Sequence, residues 1–382
     1  MDSVSSVVSS LVFSVLASDE LAELVTHYTG DVFPVKLIRT IRMRRHWFLT
    51  MLSNTRFVST SGTYGCTIEV RDITRLGEDQ IVRYMEGHTN RVTRAVVMAE
   101  AGALITVADG ECPKIWDLNS KRRVRPASER HGDHISALCV LPNRKFITAS
   151  VDGEIRVWDA SGSRCERAFV IKVPAPPSDE EDEEYELKIQ ALPNGNLLAF
   201  APVTSKKVRY WLLDALAGAE LSQATVALSE PCKWPKIAAL NDEHVAVAAN
   251  KSVHLLDIAH KRITKTVKVH NDTIRSLAVI PPVSARTPSS GFLITGCADG
   301  SIKVWDGVLG RCLQTLEQAH PESVEVLALS PTNETLLSVS ADNTLRMWRS
   351  RFWQRACDGE FPEPLADGGE VEQAQGERAD LG

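Results

Sequence analysis

A chain of 382 residues is long enough for two or three average domains. Its 43 Lys and Arg stand against 49 Asp and Glu, a mild acidic excess that excludes a general electrostatic footprint for nucleic acid or an anionic membrane. Eight cysteines are scattered without a CxxC pair, which reads as reduced, mostly buried thiols in the cytosol or nucleus rather than a disulfide framework.

Taken in order, residues 4–17 are apolar and Ser-rich, with no Lys or Arg ahead of them and too few residues to span a bilayer. Neither a signal peptide nor a membrane anchor is expected there. Ser18-Asp19-Glu20 can cap a short helix from Leu21 to Tyr28 that stops at Gly30, so residues 1–34 are expected to form a helical extension. An alternating strand follows at Val35 to Ile41 (VKLIRTI).

Further on, one hairpin recurs. Phe146 to Asp159 reads FITASVDGEIRVWD, two strands joined by a tight turn at Asp152-Gly153 and closed by Trp-Asp. It returns as FLITGCADGSIKVWD from Phe292 and as LLSVSADNTLRMWR from Leu336. Weaker copies end at Arg71, Trp116, Trp211 and Leu256, so closing positions fall at 71, 116, 158, 211, 256, 305 and 348. A period of roughly 40–45 residues with one hairpin per unit is the spacing of a propeller blade. The expected fold is therefore all-β, a seven-bladed propeller over residues 35–351 in a single domain. The last unit lacks an outer strand of its own, and Val35 to Ile41 is predicted to supply it by pairing with Asn343 to Arg349, which removes an exposed edge.

Three stretches break the period. Pro174 to Glu186 (PAPPSDEEDEEYE) explains the long third step and reads as a solvated acidic loop. Pro281 to Ser290 is an insertion in the sixth unit. Residues 352–382 are rich in Gly, Glu and Asp and read as a disordered acidic tail.

The hairpins and their spacing resemble the WD40-repeat β-propeller family over about residues 35–350. The resemblance implies a buried polar tetrad in each well-matched unit: a His before the first strand, Ser or Thr in the second, Asp in the turn, and the closing Trp. These are His131, Thr148, Asp152 and Trp158; His270, Thr295, Asp299 and Trp305; and His320, Ser338, Asp342 and Trp348. In each, the Asp can accept from the His ring and the turn amides, the His can bond the hydroxyl, and the hydroxyl can accept from the indole. A Ser-His-Asp hydrolase would build such a set once; three copies mark a structural device. The other units depart from the pattern. In the second, His88, Thr106 and Trp116 match, but Asp109 lies one residue too far from the Trp. The first has Arg71 in place of Trp, and the fourth and fifth put Ala199 and Val247 near the hydroxyl position.

No phosphate-cradling loop, HExxH or GxSxG occurs, so neither catalysis, metal nor cofactor is expected. The resemblance implies a loop-lined face that grips protein or peptide partners through residues three and five after each tetrad His. Those include Arg91 and Thr93, His134 and Ser136, Arg275, and Glu325. Alignment of the weaker units adds Arg45, Trp47 and Trp234. Their arginines and tryptophans suit an acidic or aromatic-bearing partner. The expected function is a non-enzymatic scaffold within a multiprotein complex, cytoplasmic or nuclear, with no membrane or direct nucleic-acid role. The alternative is the substrate-recognition subunit of a cullin-type ubiquitin ligase, because Trp348-Arg349-Ser350-Arg351 is similar to the box by which some propellers dock on a cullin adaptor, with Arg in place of its Asp.

Overall fold

The computed structural model describes residues 35–350 apart from 43–48, 62–64, 76–79, 119–122, 127–128, 142–143, 162–163, 174–186, 233–234, 281–290, 307–311 and 334. The expected helix in 1–34, the acidic loop, the second insertion and the tail fall outside these residues.

Alternation of side chains is what builds each sheet. In the strand Glu154–Asp159, Ile155 and Val157 face one way while Arg156 and Trp158 face the other. Both faces are covered. Ile155 and Val157 join a cluster with Leu187, Leu197 and Trp211 of the following unit, whereas Trp158 packs with Ile105 and Ile115 of the preceding one. Trp158 also stacks on Phe146, with ring centroids 6.0 Å apart. A strand with both faces apolar is stable only between two other sheets, so units of this pattern drive radial stacking.

The described strands form seven antiparallel four-stranded sheets. Blades 1 to 6 occupy residues 49–85, 92–126, 135–170, 188–227, 236–268 and 274–316. Blade 7 combines 324–350 with the strand Val35–Arg42. The innermost strand of every blade touches that of the next, and the seventh returns to the first. Seven apolar clusters fill the seven blade-to-blade interfaces. The molecule is a closed seven-bladed propeller.

Its closure lies where the sequence places it. Val35 pairs with Ser350, Leu37 with Trp348 and Arg42 with Thr344, with one irregularity between Leu37 and Arg39. Ile41 is buried with Leu345, Met347 and Met51 in the cluster joining blades 7 and 1, so the pairing is fixed by burial as well as by the ladder.

The tight turns need their glycines. Gly300 has φ +82, and a Cβ there would sit 2.0 Å from the carbonyl oxygen of His320. That close approach is used, because the His320 amide donates to Gly300 O at 2.9 Å. Gly153 repeats the arrangement against Ile171 in blade 3.

Candidate functional site

In blades 2, 3, 6 and 7 the closing Trp reaches back across its hairpin to a hydroxyl, and the hydroxyl reaches a His that arrives from the loop before the blade. In blade 6, Trp305 Nε1 donates to Thr295 Oγ1 at 3.1 Å, and Thr295 Oγ1 lies 2.8 Å from His270 Nε2. Blade 7 repeats this through Ser338, at 2.8 Å from Trp348 Nε1 and 2.6 Å from His320 Nε2. Blade 3 does so through Thr148, at 2.9 Å from Trp158 Nε1 and 2.6 Å from His131 Nε2.

The link from ring to carboxylate differs from the direct Asp–His contact expected of the sequence. In blade 6, Ser301 Oγ sits between the two, 3.1 Å from His270 Nδ1 and donating to Asp299 Oδ1 at 2.5 Å. In blade 7, Thr344 Oγ1 takes that place, 3.1 Å from His320 Nδ1 and 2.7 Å from Asp342 Oδ1, while Asp342 Oδ2 is 3.7 Å from the ring. In blade 3 the same position holds Glu154, whose carboxylate is itself 2.9 Å from His131 Nδ1, and Asp152 is left to accept from the Glu154 amide. A single direction of donation satisfies blade 6: indole N–H to Thr295, Thr295 to Nε2, Nδ1–H to Ser301, Ser301 to Asp299. That assignment makes His270 neutral.

Blade 2 has a full set that sequence spacing missed. His88 Nε2 is 2.7 Å from Thr106 Oγ1, Trp116 Nε1 is 2.8 Å from the same oxygen, and His88 Nδ1 is 2.9 Å from Glu111 Oε2. Glu111, not Asp109, is the carboxylate; its longer side chain reaches from two positions nearer the Trp. Asp109 instead pairs with Arg91 at 3.3 Å.

Electrostatics agree with neutral rings. Burial, reinforced by Lys303 and opposed by Asp299, pushes His270 down to about 4. Burial, with Arg346, does the same to His320, also to about 4. His131 is lowered by burial against the pull of Glu154. Burial opposes ionisation of Glu111, but Lys114, the Asn90 amide, Thr89 and His88 outweigh it and hold the carboxyl well below the usual range.

In blades 2, 6 and 7 a cation two residues before the Trp completes the set. Lys303 Nζ donates to Val269 O at 3.0 Å, Arg346 Nη1 to Ala319 O at 2.6 Å, and Lys114 Nζ to Gly87 O at 2.5 Å. Each carbonyl belongs to the residue just before the tetrad His. These three blades thereby acquire a tied rim, while in blade 3 Arg156 pairs with Glu129 and Glu154 instead.

On that rim the innermost strand bulges. The register slips between Val92 and Arg94, Ile135 and Ala137, Ile274 and Ser276, and Val324 and Val326. The extra residues are Thr93, Ser136, Arg275 and Glu325, the positions five after each tetrad His. A bulge re-aims a side chain and leaves its residue out of the ladder, and the described innermost strands of blades 1, 4 and 5 pair without one. Arg275 and Glu325 are exposed, as are Arg91 and His134, while Thr93 is half-buried. Ser136 corrects the expectation of a free surface position: it is buried, and its hydroxyl donates to Leu187 O of the next blade at 2.9 Å. Arg45, Trp47, Trp234 and Arg351 lie outside the described residues.

The remaining blades replace the tetrad. Arg71 of blade 1, in the Trp position, donates through Nη2 to Glu69 Oε2 at 2.5 Å. Ala199 and Val247 pack as apolar residues in blades 4 and 5. Among the described residues no helix is long and apolar enough to cross a membrane.

The family model described as WD domain, G-beta repeat matches residues 126–159, 261–306 and 310–349. Those segments contain the hairpins of blades 3, 6 and 7. The chain is 26% identical over 308 residues to nuclear distribution protein PAC1 of Arthroderma otae, covering 75% of this chain and 55% of that protein. It is 27% identical over 301 residues to nuclear distribution protein nudF of Aspergillus niger, with the same coverage of 75% and 55%. To WD repeat-containing protein 82 of Drosophila melanogaster it is 22% identical over 221 residues, 57% of this chain and 64% of that protein. It thus spans little more than half the length of the fungal relatives.

Proposed function

The chain is a WD40-repeat propeller of seven blades, and from that premise we propose that it is a non-enzymatic scaffold whose loop-lined rim holds protein partners. What carries the reading is the coincidence of bulge and tetrad in the same four blades. The tetrad's buried polar groups hold the rim rigid, the bulges present Arg275 and Glu325 from the innermost strands of blades 6 and 7, and Arg91 and His134 stand at the entries to those of blades 2 and 3. Arg91, His134, Arg275 and Glu325 form the recognition set, with Arg91 and Arg275 facing acidic groups on the partner. The names of the fungal relatives, which refer to nuclear distribution, support work inside a protein assembly of the cytoplasm or nucleus.

The test is affinity purification of the full chain against the variant Arg91→Ala, His134→Ala, Arg275→Ala and Glu325→Ala. All four side chains leave the core untouched, so the melting temperature should hold while the principal co-purifying proteins disappear. An unchanged partner profile would overturn the proposal.

A further inference from the structure

The turn of blade 6 differs from its counterparts in one atom type. Blades 3 and 7 place Ser150 and Ser340 two residues before the turn Asp; blade 6 places Cys297 there. Cys297 is fully buried. Its sulfur, a ring nitrogen of His270 and a carboxylate oxygen of Asp299 all lie within 4.8 Å of one another. We propose that His270, Cys297 and Asp299 form a binding site for a thiophilic divalent cation, zinc being the probe of choice, with water in the fourth position.

The donor chemistry fits. One imidazole, one thiolate and one carboxylate are each zinc ligands, with bonds of about 2.0–2.3 Å, so the three atoms need to draw in by roughly an ångström around the ion. The ring is already oriented for this. Thr295 Oγ1 holds Nε2 at 2.8 Å, which leaves Nδ1 facing the cluster, the outer contact by which a ligating His is commonly fixed. Ligation by Nδ1 requires the proton on Nε2, which then donates to Thr295. That hydroxyl has a second acceptor to turn to, Lys303 O at 3.4 Å, so the relay reverses direction without stranding the indole N–H. Ser301 gives up its place between His270 and Asp299 to the ion.

The proton balance follows. The sulfur binds metal as a thiolate, so the thiol proton passes to solvent as the sulfur–metal bond forms. Affinity therefore increases with pH. Asp299 is exposed at the turn and supplies the entry path from the rim. The site lies on the blade that also presents Arg275, so a bound cation would neutralise the Asp299 carboxylate beside the recognition set.

Cobalt(II) added to the full chain should produce a thiolate-to-cobalt charge-transfer absorption saturating at one equivalent, abolished by excess zinc and absent in Cys297→Ser. That variant keeps the residue type blades 3 and 7 use, so it should melt with the wild type. Absence of the band in the wild type, or its survival in Cys297→Ser, overturns the assignment. X-ray absorption on the zinc-loaded wild-type chain needs no variant: one sulfur neighbour is expected, and a first shell without sulfur also overturns it.

Discussion

Thr295→Val removes one oxygen and almost no volume, and it tests what the tetrad contributes. Thr295 Oγ1 is the shared partner of Trp305 Nε1 at 3.1 Å and His270 Nε2 at 2.8 Å, and the residue is fully buried. Replacing the hydroxyl by a methyl leaves both ring nitrogens buried without their partner. Each such loss costs about 1–3 kcal/mol, so the pair should cost about 2–4 kcal/mol once relaxation of the turn recovers part of it. Thr295→Ser separates the hydroxyl from the shape of the side chain. It keeps the oxygen, as Ser338 does in blade 7, and deletes one buried methyl, at about 1 kcal/mol. Urea denaturation followed by far-UV circular dichroism gives both values from shifts in midpoint at constant slope. If Thr295→Val lies within about 0.5 kcal/mol of wild type, or if Thr295→Ser is equally damaging, the relay is not what the hydroxyl is for.

Two further outcomes follow from the geometry. His270 and His320 titrate near 4 in the folded chain against an ordinary 6.5, so the unfolded chain binds more protons between those values. Stability is then fully present above about pH 6.5 and falls as the pH drops towards 4; denaturation midpoints from pH 7.5 to 4.5 should decline, and less steeply in His270→Gln. A midpoint that rises on acidification would contradict neutral rings. At the closure, Ile41→Ala should cost about 2–4 kcal/mol because the side chain is buried between blades 7 and 1. Leu37→Ala on the same strand, 40% exposed, should cost under about 1 kcal/mol; equal effects in thermal melts would mean that burial does not fix this pairing.

What the sequence made legible was local. A hairpin with its turn Asp and closing Trp is complete within about a dozen residues, so blades 3, 6 and 7 were visible with their hydroxyls and histidines, and the alternation of Val35 to Ile41 stood out because no unit preceded it. Details that depend on side-chain reach were not. Glu111 replaces Asp109 only because one more methylene spans the gap, and Ser301 and Thr344 enter the relay from a position that in blade 3 carries Glu154. Burial of Ser136 was less readable still, since its acceptor Leu187 lies 51 residues away in a unit whose own repeat is degenerate.

The seam in blade 7 also bears on how the molecule is made. The strand Val35–Arg42 precedes all six other sheets in the chain, yet its partner Thr344–Ser350 follows them. Six sheets can assemble in passing, each against its predecessor; the seventh has to wait for a contact spanning almost the whole domain. Such long-range pairing is slow to form and leaves an unpaired edge open to other chains meanwhile. A newly made molecule is therefore an open arc with a sticky end at each side until one late event turns it into a ring.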